Sequence, residues 1–178
     1  MSEELFERLM SVDPTYMVYA VLMGLGATLV LDLYAFFLKR ALDVPSPNYC
    51  LVGRWLRHMP QGTFRHVSIG TAPQKQYECT VGWVAHYLIG VAFALAFVFI
   101  APAAWLQRPS PLPPILFGIV TVLLPFLVMH PSFGLGIAAS RTPNPAQARL
   151  RSLMAHAVFG AGLYACALLL SQVLRDHA

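Results

Sequence analysis

Charge is scarce in this 178-residue chain. Asp, Glu, Lys and Arg make up 11 % of it, against roughly 25 % in a soluble domain, which excludes an ordinary water-soluble globule. Cysteine is scarce too: Cys50, Cys79 and Cys166 are an odd number without a CxxC pair, so neither a disulfide framework nor a zinc ribbon is expected. No HExxH, CxxCH, GxSxG or multi-histidine box occurs, and no defined enzymatic reaction is specified. The segment from Met1 to Asp13 is acidic and lacks the basic start and small-residue cleavage site of a secretory signal, so the first apolar run is expected to be retained. The formal charge of +4 is not gathered into a basic stripe, and nucleic acid is not an expected partner.

What is abundant is apolar. Residues of that kind form 57 % of the chain, and the mean hydropathy is +0.61. Crossing the hydrocarbon of a bilayer takes about 20 residues as a helix, and four runs reach that length, at about 16–38, 81–106, 113–139 and 152–174. Each must be helical, because a spanning segment satisfies its backbone internally and the period-two alternation of a barrel is absent. The fold class is therefore all-α, a four-helix transmembrane bundle in a single domain over 1–178, with the lipid bilayer as its first partner. Ser2 to Met10 could form a short amphipathic helix. Pro109, Pro111, Pro113 and Pro114 force a tight hairpin between the second and third spans.

The connection from Lys39 to Thr80 is too long for a turn. Within it, Leu51, Val52, Trp55, Leu56 and Met59 recur at helical spacing while Arg54, Arg57 and His58 take the opposite side, predicting an interfacial helix at about 48–59 that lies on the headgroups. Nine Lys and Arg (Lys39, Arg40, Arg54, Arg57, Arg65, Lys75, Arg141, Arg149, Arg151) fall on the side of this loop and three (Arg8, Arg108, Arg175) on the other. The positive-inside rule places the long loop in the cytoplasm and both termini outside. Trp83 and Trp105 suit an aromatic belt.

A charge at membrane depth costs roughly 2.5–3.5 kcal/mol, and Asp32 is the only one in the four runs. His86, His130 and His156 also fall inside them. Counting 1.5 Å per residue along helices of alternating direction puts all four at a similar depth, about one to two turns from the cytoplasmic surface. Small residues four apart accompany each one: Gly24 and Thr28 with Asp32, Gly82 and Gly90 with His86, Gly134 with His130, Ser152 and Gly160 with His156. Such stripes mark helix interfaces, so a candidate ligand or ion site is Asp32, His86, His130, His156 and Thr28. His130-Pro131, followed by Gly134 and Gly136, should loosen the third helix there, and Pro125 could kink it. Arg54, Arg57, His58, His66, Glu78, Arg141 and Asn144 are weaker candidates for loop contacts, with headgroup contact and turn formation as their ordinary roles. Tyr34, Tyr87 and Tyr164 could hydrogen-bond the site.

The strings Gly24-Leu-Gly-Ala-Thr28 (GLGAT), Val52-Gly-Arg-Trp55 (VGRW) and Gly134-Leu-Gly-Ile-Ala-Ala-Ser-Arg-Thr-Pro-Asn-Pro145 (GLGIAASRTPNP) resemble a bacterial family of small inner-membrane proteins filed as a domain of unknown function. The resemblance covers nearly the whole chain. It implies a bacterial inner-membrane location and brings no activity or ligand.

Three functions remain open. The favoured one is transport or permeation of a proton, a metal ion or a small solute through the Asp/His cluster, by a homo-oligomer because four helices are few for a monomeric carrier. The second is a redox protein in which Asp32, His86, His130 and His156 hold a divalent metal, or two histidines a b-type haem. The third is a structural or assembly factor of the inner membrane whose polar groups only fasten the bundle.

Overall fold

The computed structural model describes residues 14–176, and all regular structure among them is helical. Helix α1 runs Pro14–Leu42 and carries Lys39 and Arg40 in its last turn, where cations meet the negative end of the helix dipole. It stops where Asp43 turns to φ 52°, a left-handed conformation that a short polar side chain tolerates. Helix α2 (Tyr49–His58) begins at Asn48, whose side chain accepts from the Cys50 amide at 3.1 Å, and it tightens into a 3-10 turn closed by Gly62 at φ 75°. Helix α3 spans Glu78–Ile100, and the short α4 spans Ala103–Gln107. Helix α5 covers Leu112–Thr121 and continues through a π turn at Pro125–Met129 into a helical turn at His130–Ser132. Helix α6 runs Pro145–Asp176.

Among the described residues four helices are long and apolar enough to cross a membrane: Thr15–Leu42, Glu78–Ile100, Leu112–Ser132 and Pro145–Gln172. Three boundaries differ most from expectation, and one of them is the start of the fourth, at Pro145 rather than 152. The second ends at Ile100 rather than near 106, because Pro102 disfavours helical geometry in the residue before it, and Ala101 is extended. The third ends at Ser132 rather than 139, since Gly134, Gly136, Ala138 and Ala139 all have positive φ. The kink expected at Pro125 takes the form of the π turn, the insertion that results when a proline has no N–H to give the preceding turn. The amphipathic segment expected at Ser2–Met10 lies outside the described residues.

Leu22, Leu29, Leu33, Phe36 and Phe37 of α1 and Leu88, Leu116, Val120 and Leu169 of the other long helices are all exposed. An apolar exterior of this extent suits lipid. Inside, Met23, Ala27, Ala94, Phe97, Phe159 and Leu163 form the core. Trp105 belongs to it rather than to an outer belt: it is buried, packs edge-on against Phe97 at 4.9 Å and donates to the Ser110 carbonyl.

In space α3 lies against α1, α1 against α6, and α6 against α5. Glycines set each seam. A Cβ on Gly24 would sit 2.9 Å from the Gly90 carbonyl oxygen, one on Gly162 would sit 2.8 Å from Ala27 Cα, and one on Gly118 would meet the His156 carbonyl and the Gly160 backbone. The closest seam is the one α2 makes with α3, where a Cβ on Gly53 would collide with the Glu78 carbonyl and one on Gly82 with the Tyr49 carbonyl. Gly82 thus serves the cap and not the bundle interior. Gly53→Ala should lower stability by about 3 kcal/mol, since both colliding partners are backbone. Gly70→Ala, whose Cβ would find only Ser68 Oγ at 3.6 Å, should be close to neutral. Denaturant titration of the detergent-solubilised protein checks the contrast, and equal effects would refute the seam.

Candidate functional site

Asp32 on α1 and His86 on α3 meet. The ring Nε2 donates to Asp32 Oδ1 at 2.9 Å, and the Tyr87 hydroxyl donates to Oδ2 at 2.9 Å, so both carboxylate oxygens are engaged. The acceptor fixes the proton on Nε2. The two side chains are only 18 % and 11 % exposed, and the α1/α3 seam of Gly24 and Gly90 brings them within reach. Tyr49, the first residue of α2, covers the pair from above: its ring stacks on His86 at 3.9 Å with an interplanar angle of 21°, and Trp83 packs edge-on against both rings. Burial, reinforced by the charge of Asp32, raises the Tyr49 phenol well above its ordinary value. It therefore stays protonated. Beside Tyr87 lies a shallow groove of about 370 Å³ lined by Leu25, Trp83, Val84, Leu88 and Val91.

The other candidates are placed elsewhere. The Thr121 hydroxyl donates to the Gly118 carbonyl at 2.6 Å, leaving its oxygen to accept from His156 Nδ1 at 2.7 Å. His156 thus ties α6 to α5. His130 is buried beside Phe126, and its Nδ1 has no hydrogen-bond partner. Thr28 donates to the Gly24 carbonyl of its own helix at 2.7 Å and packs on Gly90. Among the described residues no three His, Cys, Asp or Glu side chains are grouped so as to hold a metal ion. Shared depth along the sequence does not bring side chains together, because each helix has a close neighbour on one or two sides only.

The long loop is a folded cap that buries Arg54, His58 and Glu78. Arg54 is buried and makes a two-pronged ion pair with Glu78 (Nε to Oε2 at 2.9 Å, Nη2 to Oε1 at 2.7 Å), while Nη1 donates to the carbonyls of Ile69, Gly70 and Ala72. The Glu78 hydrogen bonds raise the Arg54 guanidinium further against the opposing effect of burial. His58 Nε2 donates to the Pro73 carbonyl at 3.0 Å. Helix α2 accordingly turns Arg54 and His58 inward, the reverse of the expected orientation, because full pairing makes their burial cheaper than leaving the loop carbonyls unmet. Arg57 stays exposed. The loop continues onto the end of the third long helix, where the His66 and Ile69 amides donate to the Ser132 and Phe133 carbonyls. Gly134 allows the approach: a Cβ there would collide with the Val67 carbonyl. Arg141 contributes its backbone amide to Leu135, and the Asn144 carbonyl accepts from Ala148 at the start of α6; both side chains are at the surface.

Cys50 and Cys79 form a disulfide with Cα atoms 3.9 Å apart, a correction to the expectation of none. Each lies three residues before the glycine that lets α2 and α3 touch, Gly53 and Gly82, so the pairing follows from a seam that cysteine count and spacing do not register. Tyr49 was missed for the same reason, since its role depends on which way α2 faces.

The fold is thus that of an all-helical protein whose four long apolar helices are consistent with a multi-pass membrane protein, with a disulfide-linked cap over a carboxylate–imidazole pair. The chain belongs to a family of proteins of unknown function, DUF2938, whose model matches residues 21–170. No curated protein and no solved structure matches it.

Burial, and then the neighbouring His58 at a ring separation of 4.9 Å, depress the His66 imidazole below its ordinary 6.5. The folded cap therefore holds it neutral, whereas the unfolded chain takes up a proton near pH 6.5, and stability present above that pH is lost as the pH falls through the depressed value. Thermal unfolding should be flat from pH 8 to about 7 and drop below about 6.5. His66→Gln should flatten the drop; an unchanged acid limb would show that His66 does not cause it.

Proposed function

We propose that this protein is a bacterial inner-membrane permeation protein that moves protons, alone or with a small solute, through the Asp32–His86 pair. One observation carries the reading: an ionisable carboxylate in the first long helix is held by an imidazole and a phenol on another, under an aromatic cover. A carboxylate at that depth would cost roughly 2.5–3.5 kcal/mol and is ordinarily kept for a pathway or relay. The pair is suited to the work, since an imidazole that takes up a proton on Nδ1 can pass the one on Nε2 to the carboxylate, with Tyr87 holding the second oxygen in either state. His130 and His156 have no part in it. The cap faces the cytoplasm in this reading, supported by nine Lys and Arg on its side against three on the other, and Asp32 takes up or releases protons at that mouth.

The test is proton entry into proteoliposomes driven by a potassium diffusion potential and followed with an internal pH dye. Wild-type protein should acidify the lumen, Asp32→Asn should fall to the level of empty liposomes, and His86→Gln should be slower than wild type. Thr121→Ala, which removes the partner of His156, should leave the rate unchanged. Equal rates for wild type and Asp32→Asn would sink the proposal.

A further inference from the structure

The Cys50–Cys79 disulfide lies beside the aromatic cover of the candidate site. Cys50 follows Tyr49 directly, and Cys79 is two helical turns before His86 on α3. Both cysteines occupy the second position of a helix, in α2 (Tyr49–His58) and α3 (Glu78–Ile100). A helix N-terminus stabilises a thiolate, and a pair stabilised as thiolates at both ends is more readily reduced than an ordinary structural bridge. Cys79 is also exposed, while Cys50 is partly buried. The compartment bears on the meaning of the pair: with the cap on the cytoplasmic side, the bond stands in a reducing pool where disulfides that form are transient or redox-sensing.

We propose that Cys50–Cys79 is a reversible redox latch, with cellular thiols of the glutathione class as its reductant, which fixes Tyr49 over the Asp32–His86 pair when oxidised and frees the first turn of α2 when reduced. A glutathione thiolate attacks the exposed Cys79 sulfur, a mixed disulfide forms, and Cys50 leaves as a thiolate. A second glutathione thiolate attacks the glutathione sulfur of that mixed disulfide, and Cys79 leaves. Two glutathione thiols become one glutathione disulfide, losing two electrons; the pair gains them, and the two protons lost by glutathione are available to the cysteines. The rest of the cap stays anchored, because Arg54, Glu78 and the loop carbonyls do not involve the sulfurs. The released segment is the first turn of α2, which carries Tyr49. The regulatory half of this inference rests on the proposed role of Asp32 and His86, and the choice of reductant on the proposed cytoplasmic placement of the cap.

The experiment takes the full chain carrying Cys166→Ala in lipid nanodiscs, equilibrates it with reduced and oxidised glutathione at graded ratios without denaturant, and traps thiols with a maleimide of added mass. Two labels should appear together as the ratio rises and disappear when it is reversed. Amide exchange at 49–53 should quicken by about tenfold on reduction while that at 66–72 holds. A bond that resists excess glutathione until the protein is unfolded is a permanent staple and overturns the latch, as does reduction with unchanged exchange at 49–53. The Cys50→Ser, Cys79→Ser double variant should match the reduced protein in exchange. Proton entry measured on both forms separates the two readings. A pair that titrates in a protein without Asp32-dependent flux leaves the latch standing and removes the permeation role. Asp32-dependent flux with an irreducible bond does the opposite.

Discussion

Arg54 is the residue on which the cap depends. A guanidinium taken out of water must have its donors met, and here Nε and Nη2 close on both oxygens of Glu78 while Nη1 gathers the carbonyls of Ile69, Gly70 and Ala72. Glu78 is met in turn by the Lys75 amide at 2.9 Å. Burying an ion pair is a poor source of net stability by itself, but losing one partner of a buried pair costs about 3–5 kcal/mol. That asymmetry makes the pair a device for specifying geometry. It joins the middle of α2 to the first residue of α3 and the loop between them.

With that joint made, the positions of Tyr49 and Trp83 follow. Gly53 and Gly82 let the two backbones touch, Cys50 bonds to Cys79 on the same seam, and the first turn of α2 is carried over His86. Asp32 has no direct contact with α2 among the hydrogen bonds it makes, yet its imidazole partner is stacked under the helix's first residue. The placement of α2 over the site is therefore set by an ion pair further along the helix, while the disulfide holds the first turn that carries Tyr49.

Much of this is legible in the sequence, and the limits have physical causes. Four apolar runs of sufficient length require four helices, because the backbone has no other way to satisfy itself in hydrocarbon. Asp32 is conspicuous since it alone carries charge within those runs, and His86 is reachable by counting residues along antiparallel helices. The azimuth of each helix is harder. Small-residue stripes identify a face that packs without naming the neighbour, so Gly82 looks like part of the bundle interior when it serves α2. Amphipathic periodicity in α2 likewise locates a polar face correctly and orients it wrongly, because periodicity cannot tell a solvated arginine from one paired with carbonyls and a carboxylate from segments 15 to 24 residues away. Cys50 and Cys79 are separated by 29 residues, and only that same three-dimensional seam pairs them.

The order of helices also explains why four polar groups of similar depth resolve into separate arrangements. Helix α1 has its close seams with α3 and α6, and α6 has its other seam with α5, while α3 and α5 meet through large side chains such as Phe97 and Phe117 at 5.3 Å. A polar side chain in an apolar layer takes the nearest donor or acceptor across a seam where the backbones are close, as the cost of leaving it unmet is high. Asp32 finds His86 and Tyr87 across α1/α3, and His156 finds Thr121 across α5/α6. The aromatic packing of Phe93 on Phe159 joins α3 to α6, the helices that carry the two histidines. The hydrogen-bonded ionisable pair is thus confined to the seam beneath the cap, and the α5/α6 contact, a neutral hydroxyl and an imidazole, fastens the opposite side of the bundle.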